Sequence, residues 1–368
     1  MISFIQTLHN APLHVRFYVE HLTLSLSGPL GPDHDAPSDF MTPILVASIL
    51  QMLPSLRTLT LDKFRVHNEA DATRSFEQRA MYSLEQLSLV GMGALLMDGF
   101  RDYLPIQSFL HSLDTFSISS TLNTYQFISP ESVHDMLTAP YFPHDLAITH
   151  LRIDTPLLTH VWLRVLMYTR TMLSLFSTLQ SLDVSCRHSF EVLHIGNFLQ
   201  IAGPKLLRFS CLVHPNLVAE TISCGYTFDK IVQGLAIREC CPVLETIAVR
   251  VSMCEFEGLA HGLFDFFTAL LARTPHSMCA FVLELDLGRD VVRTSAFIRD
   301  EMQGEWARLK CVLECVGVAH LELVWRYSRE GFEVADASFK IKAWDILNMV
   351  SSIMQSDGFA LASSGEPY

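Results

Sequence analysis

Three groups of side chains in this 368-residue chain have types and spacings that chemistry uses. Cys311 and Cys315 stand four apart, so a helix there sets both thiols on one face, and His320 follows closely. Cys and His at such spacing ligate zinc, but a structural zinc site takes about four ligands and this segment offers fewer. The expectation is two small residues packed in a core. Cys240-Cys241 before Pro242 is read the same way, because neighbours at a helix end do not turn both thiols to one ion. Glu284 and Asp286 flank Leu285 and share one strand face, with Glu322 assigned to the matching position of the next strand. Paired acids serve acid–base chemistry when their surroundings separate their pKa values. The plainer readings are a solvated face or an acidic stripe suited to a basic partner. Gly91-Met92-Gly93 has the start of a dinucleotide-binding turn, yet Leu96 stands where the third glycine belongs. No HExxH, Walker-type or Gly-x-Ser-x-Gly motif occurs. The expectation is no enzyme, no cofactor and no metal.

These residues sit in a chain that is 49% hydrophobic and only 18% charged, enough apolar material for a large core. Its length suits either two domains or one elongated repeat array. A net charge of −13 with no basic run excludes a nucleic-acid backbone as the expected partner. Met1 to Asn10 lacks the basic start and continuous apolar core of an export signal. Leu157 to Phe176 is apolar but carries His160, Arg164 and Arg170, which argues for a buried helix rather than a membrane span. Nine cysteines without regular spacing suit reduced thiols in a cytoplasmic or nuclear protein.

The elements that would position these side chains come from a recurring segment, apolar-x-x-apolar-x-apolar. It occurs ten times: Val19/Leu22/Leu24, Leu56/Leu59/Leu61, Leu84/Leu87/Leu89, Leu113/Phe116/Ile118, Ile148/Leu151/Ile153, Leu179/Leu182/Val184, Leu206/Phe209/Cys211, Leu244/Ile247/Val249, Ala280/Leu283/Leu285 and Val318/Leu321/Leu323. The last two positions lie two apart, as on one face of a half-buried strand. Copies recur every 27 to 38 residues, room for one crossover helix each. Pro54, Pro204 and Pro242 each stand two residues before a first apolar position and end the preceding helix. Thr42-Pro43 and Ser129-Pro130 mark helix starts. Helices are expected at about 42–53, 94–111, 130–139, 157–176, 189–202, 227–241, 257–273, 295–316 and 339–355, with surface insertions at Ser27 to Asp39 and Lys63 to Ser75. The fold class is therefore α/β, an irregular solenoid over residues 1–355 with parallel strands on the concave face and helices on the convex face. Residues 356–368 read as a flexible tail.

The phrases "LPSLRTLTL" (Leu53 to Leu61), "YSLEQLSL" (Tyr82 to Leu89) and "CPVLETIAV" (Cys241 to Val249) resemble leucine-rich repeats, in the style of the repeat region of fungal F-box/leucine-rich-repeat-like proteins. The chain departs from that family twice. Phe64, Met92, Thr121, Pro156, Arg187 and His214 stand where the family places the turn-bonding Asn or Cys. The first strand begins at about Val19, leaving no expected room for the helical F-box module.

The resemblance implies a monomeric, non-enzymatic protein-interaction scaffold or substrate-recognition module. A fragment or F-box-less relative of a ubiquitin-ligase adaptor is one alternative, and a hydrolytic enzyme using the acidic cluster another. The expected protein partner would meet the strand positions that face away from the core. These are Thr58, Thr60, Gln86, Ser88, Thr115, Ser117 and Ser119, then His150, Arg152, Asp183, Arg208, Arg250, Glu284, Asp286 and Glu322. Thr and Ser suit an outer strand face whatever it binds.

Overall fold

The computed structural model describes residues 2–25, 40–41, 43–62, 65–66, 82–90, 110–119, 147–155, 159–168, 177–287, 294, 297–299, 301–327, 345 and 348–367. The expected helix at 130–139, most of that at 94–111, Gly91-Met92-Gly93, and Thr42, Phe64, Thr121 and Pro156 lie outside these residues, as do most of both surface insertions. The chain is α/β, and the strands of its main sheet are all parallel. It divides into two compact units, Met1–Leu179 and Gln180–Tyr368.

The first unit contains helices α1 (Ile2–Asn10), α2 (Leu13–Arg16), α3 (Pro43–Met52) and α4 (Thr159–Tyr168). Its strands are β1 (His21–Ser25), β2 (Thr58–Asp62), β3 (Tyr82–Val90), β4 (Leu110–Ser119) and β5 (Ala147–Asp154), adjacent in that order. Phe40–Met41 and Arg65–Val66 form a separate two-residue ladder. Inward positions line up across the strands. Leu22, Leu59, Leu87, Phe116 and Leu151 form one row, and Leu24, Leu61, Leu89, Ile118 and Ile153 the next. From β2 onward both rows are 2% exposed or less, the burial that alternation predicts.

The second unit runs β6 (Ser181–Cys186), α5 (Ser189–Ala202), β7 (Arg208–Val213), α6 (Pro215–Ser223), α7 (Phe228–Gln233), α8 (Ile237–Cys240), β8 (Thr246–Ser252), α9 (Ala260–Leu271), β9 (Ala280–Asp286), α10 (Gln303–Val316), β10 (His320–Tyr327) and β11 (Ala360–Pro367). One sheet face is covered by helices. Phe267 of α9 meets Phe281 of β9 edge-on at 6.4 Å, and Phe264 meets Trp306 of α10 at 5.0 Å. Such offset aromatic contacts add to the area they bury.

A backbone device repeats at the amino edge of both units. The Gln180 carbonyl accepts N–H groups from Leu207 and Arg208, and Leu207 accepts from Glu245 and Thr246. Glu245 then accepts from Cys279 and Ala280, and Cys279 from Ala319 and His320. In the first unit Glu20 and Arg57 act likewise. Each carbonyl thereby fixes where the next strand begins.

Several expectations change. The helix expected at 227–241 is two short helices, because Ala236 is left-handed at φ 47° and interrupts it. Helix α6 was not anticipated; Pro215 opens it and only Leu217, Val218 and Thr221 are buried along it. The segment expected as a flexible tail is β11, paired with β10 from His320↔Ala360 to Tyr327↔Pro367. The ninth copy is also displaced. Ile247 pairs with Phe281 and Val249 with Leu283, so the repeat positions are Met278/Phe281/Leu283, two residues earlier than the pattern indicated. Met278 closes the same turn onto Pro275 that Leu244 closes onto Cys241. The error arose because Leu285 is also inward and buried, which extends the alternation by one step.

Candidate functional site

On the strand face away from the helices, the expected residues form cross-strand rows. In the first unit Thr58, Gln86, Thr115 and His150 make one row, and Thr60, Ser88, Ser117 and Arg152 the next; Ser119 stands opposite Asp154. Ser88 departs from expectation, being 6% exposed, and its hydroxyl accepts from the Gln86 side chain at 2.8 Å.

In the second unit the displaced register rearranges the acids. Glu284 lies between Arg250 and Val324, while Glu322 lies beside Val282, so the expected Glu284/Glu322 correspondence is corrected. Asp286 lies between Ser252 and Arg326. The face carries a buried apolar cluster, Ala248, Val282 and Val324, that alternation alone did not indicate. Around it Arg250 donates to Asp183, Arg326 reaches Glu284 at 2.9 Å, and Arg208 lies 4.0 Å from the same carboxylate. Glu284 is buried rather than exposed, and this is not an acidic stripe: its charge is met by two guanidinium groups.

The amino edge of the first unit holds a cleft of about 610 Å³. Its lining includes the buried Leu56, Leu84 and Leu113, with Glu20, Glu85, Asp114 and Arg57 around them. Arg57 stands 3.3 Å from Glu85 and 3.9 Å from Glu20, and all three side chains are more than half exposed. The volume falls within the range of about 300–1,000 Å³ usual for small-molecule sites. The sequence reading missed this concavity. Its one signal was that Arg57, directly before β2, and Glu85, directly before the β3 position that pairs with Thr58, are charged.

The carboxyl edge of the second unit holds Arg187 and His214, two of the positions that follow the repeated strand segment. Glu191 accepts from the backbone N–H groups of Arg187 and His188, at 2.6 and 3.1 Å. Glu220 accepts from the Ser189 hydroxyl at 2.8 Å and its N–H at 3.3 Å, and lies 3.2 Å from His188 Nδ1. Burial alone would raise the Glu220 pKa, but the bonds from Ser189 and His188 outweigh it and leave the carboxyl below its ordinary value. Asn216 N–H donates to His214 Nδ1. Burial, then the nearby Arg187 and His188, lower the His214 pKa to about 4, outweighing Glu255 at 3.8 Å. These carboxylates satisfy backbone N–H groups of the turn. Ser189 gives its proton to a carboxylate rather than to an imidazole, so this is not a nucleophile activated by histidine.

Cys311 and Cys315 are exposed, which corrects the expectation of core packing, while Cys240 is half-buried and Cys241 buried. Among the described residues no group of three or more His, Cys, Asp or Glu is placed to hold a metal ion. Also among them, no helix is long and apolar enough to cross a membrane.

No protein-family model matches the chain, and no curated protein matches it. Among solved structures it is similar to a GTP-binding protein from the hyperthermophilic archaeon Sulfolobus solfataricus, in complex with GDP. The identity is 10%, the match covers 77% of this chain and 93% of that one, and the TM-score is 0.21. At those values the similarity assigns neither a fold nor nucleotide binding to this chain. The expected scaffold or adaptor function gains no support from a family model or a curated protein, and it is set aside here. The strand face differs from expectation in its charges. Asp183, Arg250, Arg208 and Glu284, expected to await a partner, are paired within the face.

Proposed function

We propose that the chain is an irregular strand–helix solenoid that binds a small organic cation in the amino-edge cleft of its first unit, without chemical turnover. The observation that carries this is the cleft's lining, three carboxylates and one guanidinium above buried leucines. The carboxylate excess selects positive charge, and the leucine floor favours an organic body over a hydrated inorganic ion. The solenoid reading is supported by the repeated carbonyl device, which recurs once per strand–helix step. Kinship to F-box/leucine-rich-repeat-like proteins is proposed for this architecture alone. A cytoplasmic or nuclear location is proposed because all nine cysteines are free thiols.

Thermal melting and calorimetry with matched pairs of alkylammonium ions and neutral alcohols test the binding. A cation at about 100 times its Kd adds about 2.7 kcal/mol of stability. Such a gain raises the melting temperature of a unit this size by roughly 5–11 °C. Glu85→Gln with Asp114→Asn should abolish the gain, and the neutral partners should produce none. Equal shifts from the alcohols, or none from any cation, would refute the proposal.

A further inference from the structure

We propose that Cys311 and Cys315 form half of a thiolate site for zinc, completed by the same pair from a second copy of this chain. Helix α10 turns Glu305, Trp306, Leu309 and Leu313 inward. At 3.6 residues per turn, positions 311 and 315 fall on the opposite side, separated by roughly 40° around the axis. Both thiols are exposed there, so neither contributes to the core. This ridge is tied to neighbouring segments. On one flank Lys310 donates to the Gln355 carbonyl and Ser356 donates to Glu314, while Arg308, on the ridge itself, turns its guanidinium to Asp265 of α9 at 2.7 Å. The crest that carries the thiols is left facing outward. Gly304, one step further along it, has open space where a side chain would project.

Side chains four apart on a helix stand about 5–6 Å apart at Cβ, so two sulfurs converge on one ion at Zn–S bonds of about 2.3 Å. A tetrahedral structural site needs four ligands, and among the described residues no third His, Cys, Asp or Glu joins the pair. A two-fold-related copy presents the same ridge and supplies the missing two in a self-complementary contact. Cys224, Cys254 and Cys279 are also exposed but lie on separate segments, so none offers a second thiol at helical spacing. Each cysteine releases its proton to solvent on binding, four for each ion, so the site weakens as pH falls.

The test uses the full chain in a non-thiol reductant, titrated with Zn²⁺ while mass is followed by light scattering, and with Co²⁺ as a spectroscopic probe. The expected result is a doubling of mass at one zinc per two chains, reversed by chelator, with thiolate-to-cobalt charge-transfer absorbance. Cys311→Ser and Cys315→Ser should each abolish both signals, while Cys279→Ser retains them. Cys311→Ala and Cys315→Ala serve if a serine variant melts early. A mass unchanged by zinc, one zinc bound per chain without dimerisation, or zinc-dependent doubling in the variant lacking both thiols would overturn the proposal.

Discussion

Gly196→Ala should destabilise the second unit far more than an alanine in a helix ordinarily does. Gly196 lies in α5, where it faces the backbone that follows α7. A Cβ built there would stand 1.7 Å from the Gly234 carbonyl oxygen and 3.1 Å from Leu235 Cα. An ordinary Cβ contact begins near 3.4 Å, so the two backbones would have to part by roughly 3.4 − 1.7 = 1.7 Å. That shift separates Ile195, Phe198 and Leu199 from Leu235 and Ile237, all 2% exposed or less. Overpacking costs about 1–3 kcal/mol, and more when backbone rather than a side-chain tip must move. Against it stands a gain of at most about 1 kcal/mol for replacing glycine inside a helix. Taking the upper end of that cost, the net loss expected is about 2 kcal/mol, or a fall in melting temperature of roughly 4–8 °C. Urea denaturation with far-ultraviolet circular dichroism measures it, with Gly304→Ala as control, since nothing lies within 4 Å of a Cβ there. The control should be neutral or slightly stabilising. If Gly196→Ala stays within about 0.5 kcal/mol of the parent, the close approach of α5 to residues 234–235 is wrong.

The remaining predictions concern the register, pH and the paired charges. Leu59→Asp and Leu182→Asp place a charge where exposure is 0% and should each cost more than about 4 kcal/mol, while Thr60→Ala should change stability by less than about 0.5, all measured by urea midpoint. Because His214 titrates at about 4 when folded and near 6.5 when unfolded, the unfolded chain binds more protons between those values. Stability should therefore fall as pH drops from about 6.5 to about 4 and then level off. With the imidazole part-exposed, His214→Asn should remove only about 1 kcal/mol of that slope, read as the difference between urea midpoints at the two ends. Arg326→Met should remove the nearer guanidinium from Glu284, leaving Arg208 at 4.0 Å, and destabilise by about 1–3 kcal/mol, with Glu284→Gln on that background recovering part of the loss.

Much of the strand layer was legible because a half-buried strand must alternate. Leu59/Leu61 and Leu182/Val184 are inward as their spacing required. Pro54, Pro204 and Pro242 mark turns for the local reason that proline cannot continue a helix. Alternation has no origin, however. Phe281, Leu283 and Leu285 are all inward, and only pairing with Ile247 and Val249 shows which of them begins the repeat. Cys311 and Cys315 were readable as a helical pair, but whether they faced core or solvent depended on where Trp306, Leu309 and Leu313 packed.

By itself, then, the sequence determined many of the element types and the inward set of most strands, because both follow from periodicities within a few residues. It also determined the acidic balance and the lack of a basic run, since composition is a direct reading. Tertiary structure decided what stands beside what. It set the neighbours of Glu284, the cleft under Arg57, and the carboxylates of Glu191 and Glu220 on the turn after β6. Those contacts join residues as far apart in the chain as Arg208 and Glu284, and their geometry follows from how distant strands and helices are brought together, which no local pattern specifies.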